Sequence, residues 1–508
     1  MAQTTANESS GGKKEKTYRL TWLNKFVYGS GDWGRASFNT LRQIFYAIFL
    51  TDVVGLDPRL ASIAALIGLL WNAISDPLVG SLSDNVHTRW GRRRPFLMLF
   101  SIPFSLAFLL LWWAPPWHSQ VLLVVHVTVA FMVADTIQSL VTVPYLALTP
   151  ELAPDYDQRT SITSFRMFCN LVASLLTAIS APIILAAYVK AGLTQQQGYI
   201  TIAALFGGLA AIPYIAIFLI FREKEVPPEN RPDSLTLRQT LKTLWENTPF
   251  RFATGIYVLN WVAFDIISLM LPYYLLYWIA RGNLLEKVAF LGMNISLESV
   301  VLGVLLIVAT AAVPLWNWMA QRFNKRAAYI FGMIFWVVVQ MFIFSIQQGQ
   351  VALIIGLSVL AGLSVSTAHV MPESIFPDVI DWDELRTNTR REGMYYGAIN
   401  FLRKMSGAFA IFFALQVLGW VGYKTPPAGA VQFTQPANTL TIIRFLTGPL
   451  IAIILIFAIA VAWFYPLSRE RQNRIQIILE RRKRRRELAR QRRNAPISNG
   501  STTIESKP

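Results

Sequence analysis

The sequence predicts an all-α membrane protein, with twelve transmembrane helices arranged as two pseudo-symmetric six-helix bundles. Composition is the first observation behind this. Of 508 residues, 54% are hydrophobic and 13% aromatic, only 15% are charged, and the mean hydropathy is +0.42. Soluble domains carry roughly 25% charged residues, so this chain lacks the polar surface that a water-facing fold needs. The second observation is continuity. The apolar residues fall in unbroken runs, not the alternating pattern of a membrane barrel, and at about 20 residues per crossing they suffice for twelve spans. The third is charge placement: Lys and Arg cluster in alternate connecting segments, about 22 on one side against about 5 on the other even without the tail. That asymmetry puts both termini on the cytoplasmic side of a cell membrane.

Taken in order, residues 1–24 form a polar, lysine-bearing cytosolic tail with no short apolar core or cleavage site, so insertion falls to the spans themselves. Spans are expected at 25–51, 59–83, 95–114, 119–149, 161–189 and 199–221, which make up the bundle 25–221. Residues 222–250, opening REKEVPPENRPD, read as a cytosolic linker. The second bundle, 251–466, contains spans at 251–280, 288–319, 327–346, 351–376, 394–421 and 440–466. Several exceed one bilayer thickness, which predicts tilt or extension beyond the membrane. Residues 467–508 form a basic cytosolic tail, and RIQIILERRKRRRELARQRR (474–493) reads as a basic helix that either lies on anionic lipid or only fixes topology.

Other classes are disfavoured. The net charge of +17 lies between apolar blocks and in the tail, so it does not make a nucleic-acid face. The single Cys169 excludes an internal disulfide, and four histidines offer little for a metal. There is no nucleophile–base pair and no phosphate-cradling glycine loop, so no enzyme and no cofactor are expected.

A weak repeat supports the six-plus-six division. GSLSDNVHTRWGRRRPF (80–96) ends the second span, and PLWNWMAQRFNKRAAY (314–329) ends the eighth, at the same place in its half. Paired halves of this kind build a midmembrane site that opens to either side.

Further motifs are YGSGDWGR (28–35), TDVVGLD (51–57), WNAISDPLVGSLSDNVHTRWGRRRPF (71–96) and VPYLALTPEL (143–152). They are followed by DQRTSITSFR (157–166), PDVIDWDELRTNTRREGMYYG (377–397) and FLRKMSGAF (401–409). In these blocks the chain resembles the major facilitator superfamily, and specifically the glycoside–pentoside–hexuronide:cation symporters typified by the melibiose permease. The likeness covers roughly residues 22–466. It implies the major facilitator fold and symport of a sugar or glycoside with Na⁺ or H⁺.

Asp76 is the most informative position, because an acid inside a span is costly enough to need a reason. The resemblance implies two carboxylates one turn apart for a monovalent cation. Here the second is Asp76, while the first is replaced by Asn72. Asn72, Ser75 and Ser139 are the neighbouring oxygen donors. One carboxylate with neutral oxygens suits sodium, a single desolvated acid suits a proton, and loss of coupling is a third outcome.

The resemblance also implies substrate or coupling roles for Arg166 and Lys404, and sugar contacts at Arg35 and Asn400. The two galactoside-binding acids of the melibiose permease fall at Ala36 and Thr142, and its stacking tryptophan at Leu146, which argues against α-galactosides. Asp135, two turns before Thr142, is expected to pair with Arg166 or Lys404 and supply the missing charge. Excess cations would suit a hexuronate. Asp84 with Arg92 and Arg93 is a candidate gate, the arginines alternatively serving as topology signals; the loop carrying Asp378, Asp381 and Arg390 is a second candidate gate or, equally, a solvated amphipathic loop. Arg403 points about 100° away from Lys404, so one of the two is expected to snorkel.

The sequence therefore predicts a monomeric secondary transporter in a lipid bilayer, moving a small molecule and binding no nucleic acid. A lipid or amphiphile carrier of the same superfamily and a non-transporting receptor or scaffold are the alternatives.

Overall fold

The computed structural model describes residues 21–494, apart from 87, 153–155, 222–236, 291, 390 and 428. The chain opens with α1 (Trp22–Gly29), where the Thr21 side chain accepts the Asn24 N–H, a local N-cap. After a turn at Ser30–Gly31 comes α2 (Asp32–Ile48), which widens into one π turn, Phe49–Val53. The turn is tight because a Cβ at Gly31 would lie 2.6 Å from the Tyr145 ring. Helix α3 (Pro58–Asn85) starts with Pro in its first turn and Asp57 as its cap. Arg59 bonds that Asp57 and holds its carboxyl below the usual range.

Four helices complete the first set: α4 (Arg94–Leu111), α5 (Gln120–Leu152), α6 (Tyr156–Lys190) and α7 (Gln195–Ile220). A capping box at Thr194 and Gln197 fixes the start of α7. The segment expected to be a plain linker contains a short helix, α8 (Leu237–Glu246). Then follow α9 (Thr248–Tyr273), which ends in a π turn at Tyr274–Ile279, and an antiparallel hairpin, β1 (Lys287–Phe290) with β2 (Met293–Ser296). The last helices are α10 (Leu297–Arg322), α11 (Lys325–Ser345), α12 (Val351–Thr387), α13 (Glu392–Trp420), α14 (Ala437–Thr447), α15 (Pro449–Trp463) and α16 (Arg469–Asn494).

Among the described residues, eleven helical stretches are long and apolar enough to cross a membrane. The first expected span is outside that set. It is broken at Ser30–Gly31, and α2 has 17 residues carrying Asp32, Arg35 and Arg42. The eighth span, expected from 288, begins at Leu297. The preceding residues pair as a hairpin, a use of alternating Val288, Ile295 and polar neighbours that continuous hydropathy hides. The last span is interrupted at Gly448, where a Cβ would meet the Gln340 carbonyl at 3.0 Å. The expected loop at 377–397 is mostly helix, since α12 runs to Thr387 and α13 starts at Glu392.

Within the first six long helices α4 packs on α5 and α7, α3 on α5, and α2 on α6; within the second set α10 packs on α12, and α11 on α12 and α15. The sets meet along α3–α13 and α6–α10, with α2 against α9. The outer faces are apolar: Leu99, Ile102 and Leu106, three or four residues apart on α4, are each at least 60% exposed, as lipid-facing side chains should be.

Candidate functional site

Charged side chains converge where the two sets of helices meet. On α3, Asp76 lies nine residues before the helix end at Asn85, about 14 Å along the axis and well inside a bilayer. Its carboxylate accepts a hydrogen bond from the Ser139 hydroxyl on α5 and an ion pair from the Lys404 ammonium on α13, across the seam. The Lys404 ammonium also faces the Asn72 carbonyl at 3.5 Å. The Ser75 hydroxyl is turned onto its own helix, donating to the Asn72 carbonyl at 3.3 Å. Asp76 and Lys404 thus form one element, although the sequence assigns one to the cation and the other to the substrate.

A second pair lies beside it. Asp135 accepts from Arg42 on α2, with Lys404 and Asp76 also within electrostatic reach. This corrects the expected partners. Arg166 is engaged elsewhere: it donates to Asp32 at 2.8 Å and to Thr149 at 3.3 Å, and its guanidinium lies 5.2 Å from the centre of the Tyr145 ring. Asp135 is fully buried, and among the described residues its second carboxylate oxygen accepts no hydrogen bond. Arg35 completes the Asp32 cluster at 2.7 Å.

A third pair was not anticipated as part of the site. Arg403 donates both guanidinium arms to Asp265 at 2.7 and 2.9 Å, while its plane lies 3.9 Å above the centre of the Trp261 ring. Gln43 reaches the same carboxylate from α2 at 3.0 Å, so this pair also ties the two helix sets together. Arg403 and Lys404 diverge as their helical spacing requires, but neither snorkels; each finds its own carboxylate. The signal for this pair was present in the sequence, as an acid in span seven and a cation in span eleven. Nothing in one dimension matches them.

Part of this charged cluster is accessible. Asp32, Asp135 and Asp265 are buried, yet Arg35, Arg42, Arg403, Lys404 and Asp76 keep between 21% and 34% of their side chains accessible. Of these pairs Asp76–Lys404 crosses the seam, while Arg35–Asp32 and Arg42–Asp135 lie within the first set and Arg403–Asp265 within the second. Ionised groups at this depth need water or partners; here each has an ion-pair partner. Asn400 is exposed one turn before Lys404 on α13.

At the end away from the tail, the sets are latched together. Asp52 accepts hydrogen bonds from the hydroxyls of Tyr277 and Tyr423, and Thr51 meets the Tyr273 hydroxyl at 2.9 Å. Gln416 on α13 bonds the Ser62 hydroxyl on α3 at 2.9 Å. The sequence carries Asp52 only within a motif at a span edge, and its tyrosine partners lie over 200 residues away.

The remaining gate candidates are less central. Arg93 donates to the Ala147 carbonyl in its own helix set. Asp378, on helix and not on a loop, pairs with Lys325 at 2.8 Å, again within one set. Asp381 accepts from Gln472 on α16 at 3.0 Å. Arg92 is partly exposed. Arg390 and the side chain of Asp84 lie outside the described residues.

Across residues 27–469 the chain matches the model for MFS/sugar transport proteins. The chain belongs to that family. It is similar to the uncharacterized symporter sll1374 of Synechocystis sp., 30% identical over 89% of this chain and 95% of that one. The sodium-dependent lysophosphatidylcholine symporter 1-A of Danio rerio is 24% identical, covering 91% and 88%. The isoprimeverose transporter of Lactiplantibacillus pentosus is 25% identical, covering 76% and 77%. The fold matches the inward-open xylose transporter XylE from E. coli with a TM-score of 0.57 at 12% identity, over 90% of this chain and 99% of that one. This is the major facilitator fold, and the protein is a multi-pass membrane transporter.

Proposed function

We propose that this protein is a cation-coupled symporter of the glycoside–pentoside–hexuronide type. It carries a sugar, glycoside or uronide across the cell membrane as a monomer, with both termini cytoplasmic. The observation that carries the reading is the Asp76–Lys404 contact across the seam. Lys404 occupies the position that a coupling ion would take on Asp76. Na⁺ or H⁺ arriving at Asp76, with Ser139 and Asn72 supplying oxygens, releases the ammonium toward the substrate. Ion binding and substrate binding then become one event, and a difference in affinity between the two states is what moves a conformational equilibrium.

In this reading the substrate lies between Arg35, Arg166, Asn400 and Lys404, with the unused oxygen of Asp135 available to a sugar hydroxyl after a small shift. Arg35 and Arg166 share the single carboxylate of Asp32, which leaves one positive charge in excess there. That excess accommodates a uronate. The Asp52 latch corresponds to the outward side being shut, and Asp84, Arg92, Arg93, Asp378, Asp381 and Arg390 to contacts that form when the cytoplasmic side closes.

A second reading, lysophospholipid symport, is favoured by specific positions. Ala36, Thr142 and Leu146 stand where the melibiose permease has sugar-binding groups, and Leu146 is 37% exposed. Relatives of both kinds support the two readings about equally. The deciding experiment is uptake into proteoliposomes of labelled xylosides, glucuronides and lysophosphatidylcholine, under a sodium gradient, a proton gradient and neither. Gradient-driven accumulation of a glycoside is expected. Accumulation of the lysolipid alone selects the second reading, and solute movement indifferent to both gradients overturns coupling.

A further inference from the structure

Away from the central charged cluster, a cavity of about 960 Å³ opens on the tail side of the second helix set, between the α10–α11 turn, α12 and the junction of α15 with α16. Three cations line it: Lys325, Arg326 and Arg469. One acid lines it too, Asp378, and that is already matched by Lys325 at 2.8 Å. Two positive charges are therefore left over. The Arg326 guanidinium lies 5.6 Å from the centre of the Trp463 ring and 3.5 Å from the Tyr465 carbonyl; Arg469 is exposed, donating to the Gln321 carbonyl at 2.8 Å. Among the described residues neither arginine meets a carboxylate there.

The level of the cavity is fixed by the helices around it. Helix α10 ends at Arg322, α11 begins at Lys325 and α15 ends at Trp463, so the cations stand where the hydrocarbon gives way to headgroups. Trp463, 61% exposed, is an interfacial aromatic at that level. From Arg326 the residues Ile330 and Ile334 follow at i+4 and i+8, placing one cation and an apolar stripe on a single face of α11. Ile334 and the adjacent Phe331 are 49% and 57% exposed, and both line the cavity. The floor is α16, which is docked on α12 through Gln472 to Asp381 and Arg482 to the Leu385 carbonyl at 3.0 Å.

We infer that this cavity binds an anionic phospholipid. Its headgroup phosphate lies between Arg326 and Arg469, and an acyl chain runs along Ile330, Phe331 and Ile334. Charge sets the headgroup class, because two unmatched arginines favour a net-negative lipid over a zwitterionic one. The apolar wall selects a lipid over free phosphate, since a soluble anion would leave Phe331 and Ile334 uncovered. The bound lipid joins α16 to the membrane-embedded helices. Naming its leaflet the inner one rests on the orientation proposed above, whereas lipid binding is measured without transport, so either can fail alone.

The test is native mass spectrometry of the full-length, detergent-purified protein titrated with phosphatidylglycerol or phosphatidylcholine of identical chains. Phosphatidylglycerol is expected to be retained about tenfold more tightly, at on the order of one charge pair's contribution per arginine. Arg326→Gln/Arg469→Gln removes the preference, while Arg326→Lys/Arg469→Lys keeps it. Ile334→Asp weakens both lipids. Arg469→Gln alone alters only an exposed side chain and is expected to lose part of the preference even should the double variant misfold. Equal retention of the two lipids, or an unchanged preference in the Gln variants, overturns the site. Competition by glycerol 1-phosphate as effective as by the whole lipid overturns its lipid character.

Discussion

Tyr423, in the turn after α13, donates its hydroxyl to Asp52 at the end of α2, 371 residues earlier in the chain. Tyr277 donates to the same carboxylate from the π turn ending α9. One acid of the first helix set is thus clasped by two hydroxyls of the second, and any state open at this end must break both bonds.

Loosening that clasp should favour the state open at the Asp52 end. A hydrogen bond to a charged group is worth about 1.5–3 kcal/mol, so Tyr423→Phe should shift the balance of states by about tenfold or more. The measurement is maleimide labelling of Ile48→Cys in a Cys169→Ser background. Ile48 is 7% exposed at this closed end, so its labelling should accelerate in Tyr423→Phe and again in Asp52→Asn. Unchanged labelling would mean that the clasp does not hold the end shut.

Removing either partner of the Asp76–Lys404 pair should separate binding from coupling. Asp76→Asn is expected to abolish accumulation against a gradient while leaving downhill exchange, read in proteoliposomes with and without an imposed ion gradient. If sodium is the ion, it should raise the melting temperature of the parent protein but not of Asp76→Asn, because only a native-state ligand stabilises by mass action. Both groups are about one-third exposed, so the stability cost of either substitution should stay small, near 1 kcal/mol.

The Arg403–Asp265 pair should behave differently, as a structural strut. Asp265 is 4% exposed and bonded bidentately, so Asp265→Ala leaves a guanidinium without its partner. A loss of about 3 kcal/mol is expected, the low end for a broken buried pair because Arg403 keeps some solvent. Replacing both, Asp265→Leu/Arg403→Met, should recover part of it. A double variant no more stable than the single, in a detergent melting series, would argue against this.

Gly362 tests the packing of the second set. A Cβ there would lie 2.6 Å from the Leu305 carbonyl oxygen and 2.9 Å from Val308 Cβ, at the contact of α12 with α10. Backbone cannot move aside cheaply, so Gly362→Ala should cost about 1–3 kcal/mol. Gly356, also on α12, has nothing within 4 Å, and Gly356→Ala should leave the melting temperature close to that of the parent.

Much of the architecture follows from one-dimensional chemistry. Backbone groups in lipid must satisfy each other, so each long apolar run had to become a helix. Hydropathy could not see the interruptions at Ser30–Gly31 and Gly448, nor the hairpin before Leu297, because local backbone bonding decides those and average polarity does not. For the site, the sequence singled out Asp76, Arg166 and Lys404, since an ionisable group inside a span is conspicuous wherever it occurs. Pairing was another matter. Asp135 has two plausible partners by spacing and bonds a third, Arg42, because the angle at which α2 passes α5 is a property of the packed bundle. Asp52, Tyr277 and Tyr423 look ordinary along the chain and become a latch only when its distant segments meet. Local composition determined which segments enter the membrane and which charges must be accounted for there. The crossing of the helices alone decided which charge neutralises which, because that depends on distances of a few ångströms between residues hundreds of positions apart.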